Sequence, residues 1–170
     1  MPTSCEESAV ELQTKTPSFS IRSFQPGDET SFRTLNEEWI VKHFVLEDKD
    51  CAVLGDPVKY ILNPGGEIIF ATIGEETVGC CALAPEAPGE YEVAKMAVTE
   101  AYQGRGIGRK ILERVIAVAR EKAATRLYLE TNSKLTATYL YESIGFHHLP
   151  VDRRKPSLYS RADVFMEMVL

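Results

Sequence analysis

Apolar and polar residues alternate over residues 19–24, which predicts a β-strand that Pro26-Gly27-Asp28 closes. Over residues 29–44, Phe32, Leu35, Trp39 and Val41 or Phe44 recur near helical spacing, and a helix is expected there. A second, short helix is expected over residues 51–62, interrupted near Gly55-Asp56-Pro57. The turn cluster Asn63-Pro64-Gly65-Gly66 follows. Residues 67–73 and 77–84 then form a predicted hairpin across Gly74-Glu75-Glu76. A Pro/Gly-rich turn over residues 85–89 leads into a further strand at 90–98.

After that strand a long helix begins at once. It directs Ile107, Ile111, Leu112, Val115, Ile116 and Ala119 inward and Arg109, Lys110, Glu113, Arg114 and Arg120 outward. Residues 126–130 read as a buried strand, and 135–143 as a helix ending at Gly145, a natural residue just past a helix end. Residues 146–149 and 162–169 read as closing strands. The order β-α-α-β-β-β-α-β-α-β-β implies a mixed α/β (α+β) domain around a central sheet. Residues 1–18 lack periodicity and are expected to be a loose leader to a single domain at 19–170.

Composition adds exclusions. A length of 170 residues suits one domain, and a formal charge of −6 argues against a general nucleic-acid binder. No run of 18 apolar residues and no secretory signal is read, so no membrane partner is expected and the cytoplasm is the expected location. The cysteines Cys5, Cys51, Cys80 and Cys81 form no C-x-x-C pair, and strand neighbours Cys80 and Cys81 should face opposite ways. Apolar filling is expected of them, with neither a disulfide framework nor a metal site. His147 and His148 are adjacent and lack a third ligand, so metal is not expected there either.

The chemistry-bearing junction is Gln103-Gly104-Arg105-Gly106-Ile107-Gly108, between a strand and a helix. The first turn of a helix leaves N–H groups without partners, and glycines let backbone approach a ligand. The dipole contributes roughly 0.3–1 kcal/mol for an anion there. Arg105 and Arg109 add positive charge, so a phosphate or pyrophosphate is the natural guest. Neither the P-loop pattern nor G-x-G-x-x-G is present, and a plain tight turn would use the same glycines. Downstream, Tyr141 lies on the helix before Gly145-Phe146, four residues from Ala137 on the same face. Taken singly it is a packing residue with a wet hydroxyl.

Together these features resemble the GNAT superfamily of acetyl-CoA-dependent N-acetyltransferases. A Q-x-x-G-x-G turn opens a helix, a strand follows, and then comes A-x-x-L-Y-E-x-x-G-F. The strand "YEVAKMAVT" is also similar to the family's central strand. "NEEWI" and "LGDPVKYILNPGGEIIFA" look like a bacterial subgroup sometimes fused to MarR-type regulators, and no such regulator is read here. The resemblance implies the GNAT acyl-CoA N-acyltransferase fold. That fold is a central mixed, mostly antiparallel sheet with a splayed parallel pair (here residues 90–98 and 126–130), flanked by helices.

It also implies roles. Gln103, Gly104, Arg105, Gly106, Ile107, Gly108 and Arg109 would hold the pyrophosphate of acetyl-CoA, and the backbone of Met96, Ala97 and Val98 its pantetheine arm. Tyr141 would protonate the leaving thiolate, since a phenol keeps its proton at neutral pH. A backbone N–H near Met96–Ala97 would steady the oxyanion. Glu92 is the first choice for the base, although an outward strand carboxylate would read the same. Alternation puts Glu90, Glu92 and Ala94 on one face unless a bulge intervenes. Glu38 and Glu130 are candidates to line the acceptor site. Lys134 stands where many family members carry an asparagine, leaving Asn132 as the nearest replacement. Arg153-Arg154-Lys155 is either a solvated run or a gate to the acceptor pocket.

The reading is therefore acetyl transfer to a primary amine of a small molecule, such as an amino acid. A non-catalytic acyl-CoA sensor, or a transferase acting on a protein lysine or N-terminus, is the alternative. A homodimer is common in such a family.

Overall fold

The computed structural model describes residues 18–170, so most of the expected leader at 1–18 lies outside the described residues. Seven strands form one sheet: β1 (Ser20–Ser23), β2 (Glu67–Ile73), β3 (Glu76–Ala87), β4 (Glu90–Val98), β5 (Arg126–Thr131), β6 (His147–His148) and β7 (Val164–Val169). Their spatial order is β1-β2-β3-β4-β5-β7-β6, and only β4 and β5 run parallel. Four α-helices cover it: α1 (Glu29–His43), α2 (Asp48–Gly55), α3 (Ile107–Glu121) and α4 (Ala137–Ile144).

The sheet separates two apolar layers. On one face, Ile69, Cys81, Leu83 and Val93 pack against the buried stripe of α3 and against Tyr141 of α4. On the other, Ile68, Phe70, Cys80 and Ala97 pack under Phe32, Leu35 and Ile40 of α1 and Leu54 of α2. Cys80 and Cys81 thus fill opposite layers, as strand alternation requires. The inward stripe of α3 is the one its periodicity predicts, with Val118 added.

Several expectations need correcting. The register of α1 buries Phe32, Leu35, Asn36 and Ile40, while Val41 is exposed. The periodicity is disguised because a polar residue occupies a core position. Asn36 donates to the Phe32 carbonyl at 2.9 Å and receives the Trp39 indole N–H at 3.3 Å. The single helix expected at 51–62 is two pieces: α2, begun by a capping box between Glu47 and Asp50, and a π-helical turn at Val58–Leu62 after Pro57. β3 runs through Pro85 to Ala87, so the tight turn is only Pro88-Gly89. A Pro at the irregular end of a strand removes no essential ladder bond. The helix expected at 135–143 starts two residues later, and the strand expected at 146–149 shrinks to His147–His148, the Phe146 N–H being spent on the Tyr141 carbonyl at 3.0 Å as α4 closes.

Candidate active site

The parallel pair places the site. β4 and β5 are paired only from Glu90↔Arg126 to Glu92↔Tyr128, and β5 then continues with β7 as its partner to Thr131. Val93 to Val98 therefore have no strand partner on the β5 side. The strands separate and leave a cleft of about 620 Å³. The loop before α3 lines it, and so do Trp39, Phe44, Tyr159 and Arg161.

At the loop end, Gly104 and Gly106 adopt left-handed φ of 77° and 80°, and neither has anything within 4 Å of where a Cβ would stand. Gly106 is the N-cap of α3 and supplies no side-chain cap. The first N–H groups of the helix are thus left for a ligand. Gly104, Gly106, Ile107, Gly108 and Arg109 line the cleft. Gln103 lines it too, and its amide donates to the Val98 carbonyl at 2.9 Å, fastening the loop to the end of β4. Arg105 lies outside the lining residues, its guanidinium 5.2 Å from the Tyr102 ring centroid.

Tyr141, carried by α4, lines the cleft and is buried. Its ring packs edge-on against Phe146 with centroids 6.0 Å apart. Among the described residues the hydroxyl has one hydrogen-bond partner, the Met96 sulfur at 3.6 Å, a weak acceptor. Burial pushes this phenol well above its ordinary value, and the Cys81 thiol adds to the shift. The group stays protonated at neutral pH.

A bulge decides what faces the other end. Cys80 pairs with Ala97 and Ala82 with Ala94, so β4 carries one extra residue between them, and Lys95 takes φ = 52°. For a residue with a side chain this conformation costs on the order of 1–3 kcal/mol. The inversion turns Met96 and Val98 toward the α3 layer and Ala97 toward α1. Simple alternation would have placed Met96 and Val98 on the same face as Glu92. Met96 and Val98 line the cleft, whereas the Ala97 side chain is buried in the opposite layer, leaving only its backbone for a ligand.

Glu92 lines the cleft and is 8% exposed, so it is not an outward strand carboxylate. Burial is the largest influence on it. The hydrogen bond shared with Glu86 and the charge of Glu130 add to that influence, Lys49 opposes it, and the carboxyl is pushed up to about 8. Glu130 also lines the cleft, and it accepts from Tyr128 at 2.9 Å and Ser157 at 2.6 Å. Glu38 is exposed on α1 and does not line the cleft; from that helix Trp39 and His43 reach it instead. The helical spacing that turns Trp39 inward carries Glu38 outward.

Asn132 lines the cleft with both ends of its amide engaged. It donates to the Arg161 carbonyl at 2.7 Å and accepts from Lys134 N–H at 2.8 Å. Its visible work is to tie two loops together, which spends its oxygen and one of its two N–H donors. Arg153 and Lys155 are drawn to Glu167 and Glu90, and neither lines the cleft.

A cluster that sequence reasoning did not find stands beside Glu92. Lys95 reaches Asp50 at 2.6 Å and the Tyr159 hydroxyl at 2.9 Å, and Arg161 grips Asp50 with two bonds of 2.7 Å. Asp50 is fully buried. Burial works against its charge, yet the bonds from Arg161 and Lys95 hold it well below the ordinary carboxylate range. The one signal in the sequence was a lysine among apolar residues in a central strand.

Among the described residues, no group of three His, Cys, Asp or Glu is arranged to hold a metal, and no helix is long and apolar enough to cross a membrane.

A splayed parallel pair opening onto an uncapped, glycine-led helix N-terminus has the form suited to an elongated ligand with an anionic end. The acetyltransferase (GNAT) domain family matches residues 64–148, half of the chain. The chain belongs to the GNAT acetyltransferase family. It is 36% identical over 98 residues to the N-alpha-acetyltransferase RimI of Mycobacterium tuberculosis, covering 55% of this chain and 60% of RimI. It is 30% identical over 107 residues to the uncharacterized N-acetyltransferase YvbK of Bacillus subtilis, covering 61% of this chain and 69% of YvbK. The matched stretch is thus less than two thirds of the length of RimI. A GNAT-family acetyltransferase structure from Staphylococcus aureus superposes with a TM-score of 0.81 at 21% identity, covering 89% of this chain and 99% of that one. A Bacillus subtilis acetyltransferase solved with CoA superposes at 0.65 and 19% identity, covering 90% and 99%. Both confirm the fold expected from the sequence.

Proposed function

We propose that the chain is an acetyl-CoA-dependent N-acetyltransferase that moves the acetyl group directly to a primary amine. The observation that carries this reading is the single cleft. It joins the uncapped N-terminus of α3, the unpaired stretch of β4 and the Tyr141 hydroxyl. Acetyl-CoA, as co-substrate, supplies an acetyl group activated as a thioester. Backbone N–H groups from Gly104 to Arg109 would hold its pyrophosphate, and the β4 backbone at Met96–Val98 its amide-bearing arm, in the manner of an added strand.

The remaining work belongs to side chains. Glu92, with its carboxyl held near 8, is suited to accept a proton from an ammonium group near neutral pH, directly or through water. Tyr141 holds its proton until a thiolate needs it. Glu130 gives the acceptor end a negative character that attracts a cationic amine.

A small-molecule amine, such as an amino acid or related compound, is the acceptor we favour. The relatives include N-acetylaspartate synthetase of Rattus norvegicus, 30% identical over 111 residues. A second reading, a protein N-terminus, is supported by RimI and by the [ribosomal protein bS18]-alanine N-acetyltransferase of Haemophilus influenzae. It is also supported by the charges: Lys95 and Arg161, two cations that line the cleft, are already bonded to Asp50 and so offer little to an acceptor carboxylate. Thiol release from acetyl-CoA, measured over amino acids, polyamines, aminoglycosides and short peptides, tests both. Saturation by free amines supports the first, turnover only with peptides supports the second, and no release with any amine sinks the enzyme reading.

A further inference from the structure

The bulge in β4 and the far wall of the cleft are held by one residue outside it. Asp50 lies in the first turn of α2, fully buried, and its two oxygens receive every bond that joins α2 to Lys95 and to the Arg161 guanidinium, apart from one contact of Arg161 with Glu47 at 3.2 Å. Lys95 is the residue whose backbone is inverted at the bulge, and with that inversion in place its ammonium reaches Asp50. Arg161 belongs to the segment that supplies Tyr159 and Ala162 to the cleft. That segment is fastened again by Ser160 N–H to Glu47 at 2.9 Å and by Asn132 to the Arg161 carbonyl. The Tyr159 ring lies 4.5 Å from both Lys95 and Arg161.

We propose that Asp50 is a positioning residue for the acceptor end of the cleft: through Lys95 it fixes the β4 bulge beside Glu92, and through Arg161 it fixes the Tyr159–Ala162 wall against which the amine is held. The inference rests on the acetyl-transfer reading above. Asp50 touches no cleft volume itself, since it is not among the lining residues, and it acts only through its two cations.

The charges around Glu92 give the proposal a signature that packing alone lacks. Glu86 faces it from β3, Lys49 from α2, Lys95 from β4, Glu130 and Tyr128 from β5, and Tyr159 from the following segment. Beyond these, the Arg161 charge is balanced by Asp50 and Glu47. Asp50→Asn keeps the shape and removes one negative charge, leaving Lys95 and Arg161 under-compensated beside Glu92. The excess positive charge favours the Glu92 carboxylate, so its titration moves to lower pH.

The test compares wild type and Asp50→Asn in three measurements: calorimetric affinity for acetyl-CoA, kcat/KM for the best amine against pH, and NMR titration of the Glu92 side-chain carboxyl. The expected result is unchanged acetyl-CoA affinity, kcat/KM lower by about 100-fold through misplacement of the acceptor, and an acidic limb and a Glu92 titration both displaced to lower pH. A folded Asp50→Asn protein with wild-type kcat/KM and an unmoved Glu92 titration overturns the proposal. If that variant does not fold, Arg161→Lys replaces it, keeping the charge and losing the two-pronged grip. A fall in kcat/KM of at least 10-fold at unchanged acetyl-CoA affinity supports the proposal, and a wild-type kcat/KM overturns it. If wild type itself releases no thiol with any amine, the acetyl-transfer reading fails. The Glu92 titration still decides whether Asp50 governs that carboxyl.

Discussion

Replacing Tyr141 by Phe separates chemistry from stability. The substitution removes one oxygen and keeps the ring, so the edge-on packing against Phe146 at 6.0 Å is retained. Among the described residues the hydroxyl has one hydrogen-bond partner, a weak one, the Met96 sulfur at 3.6 Å. Losing it costs about 1 kcal/mol or less of folding stability, because no strong acceptor is left without a partner. The kinetic effect is of a different size. A general acid contributes roughly 10²–10⁴-fold. At about 1.4 kcal/mol per decade, that is ~3–6 kcal/mol of barrier. The assay is thiol release at saturating acetyl-CoA and amine, alongside thermal unfolding and calorimetric affinity for acetyl-CoA. The expected outcome is a kcat reduced by at least 100-fold with melting temperature and affinity nearly unchanged. An unaltered kcat refutes the proton-donor role and leaves Tyr141 as a packing residue.

Gly106→Val should weaken acetyl-CoA binding by roughly 10-fold or more, about 1.4 kcal/mol. The position has φ = 80° and open space around a Cβ, so the chain folds but the backbone cradle is disturbed; an unaltered calorimetric affinity contradicts this. Glu92→Gln should remove the acidic limb near pH 8 from the kcat/KM profile, and a surviving limb transfers the base role to Glu130. The same carboxyl has a linkage signature, because folding raises it from 4.5 to about 8. Its contribution to stability is complete below its ordinary value and lost as pH rises through 8. Glu92→Gln should therefore gain melting temperature relative to wild type between pH 5 and pH 9, and a constant difference refutes the assignment. Gly66→Ala should destabilise the fold by at least about 2 kcal/mol, since the new Cβ would stand 2.4 Å from the Leu83 carbonyl and 2.5 Å from that of Ile61. Wild-type thermal unfolding would show that the backbone there can yield.

The parts of the candidate cleft written in local sequence were legible. The glycine-led start of α3 and the Tyr141–Gly145–Phe146 run lie within single strand–helix or helix–turn units, where composition and period carry the signal. Parity along β4 was not legible, because it depends on an extra residue opposite Cys81 that only the paired strand reveals. The Asp50 cluster, signalled in sequence by Lys95 alone, was not legible as a cluster for a similar reason. Lys95 and Arg161 lie 45 and 111 residues from Asp50, and no periodicity links them. Ile40 and Val41 exchanged places because Asn36, a buried polar residue, interrupts the apolar stripe of α1.

The central claim is that the cradle before α3 and the Tyr141 phenol serve one thioester. Titrating acetyl-CoA into protein carrying ¹⁵N amides and ¹³C-labelled tyrosine tests it in a single experiment. Saturable shifts at the amides of Gly104, Gly106 and Gly108, at Met96–Val98, and at the Tyr141 ring, all with one dissociation constant, are the predicted result. Shifts at the glycines that leave Tyr141 untouched, or no shifts at millimolar acetyl-CoA, would contradict it.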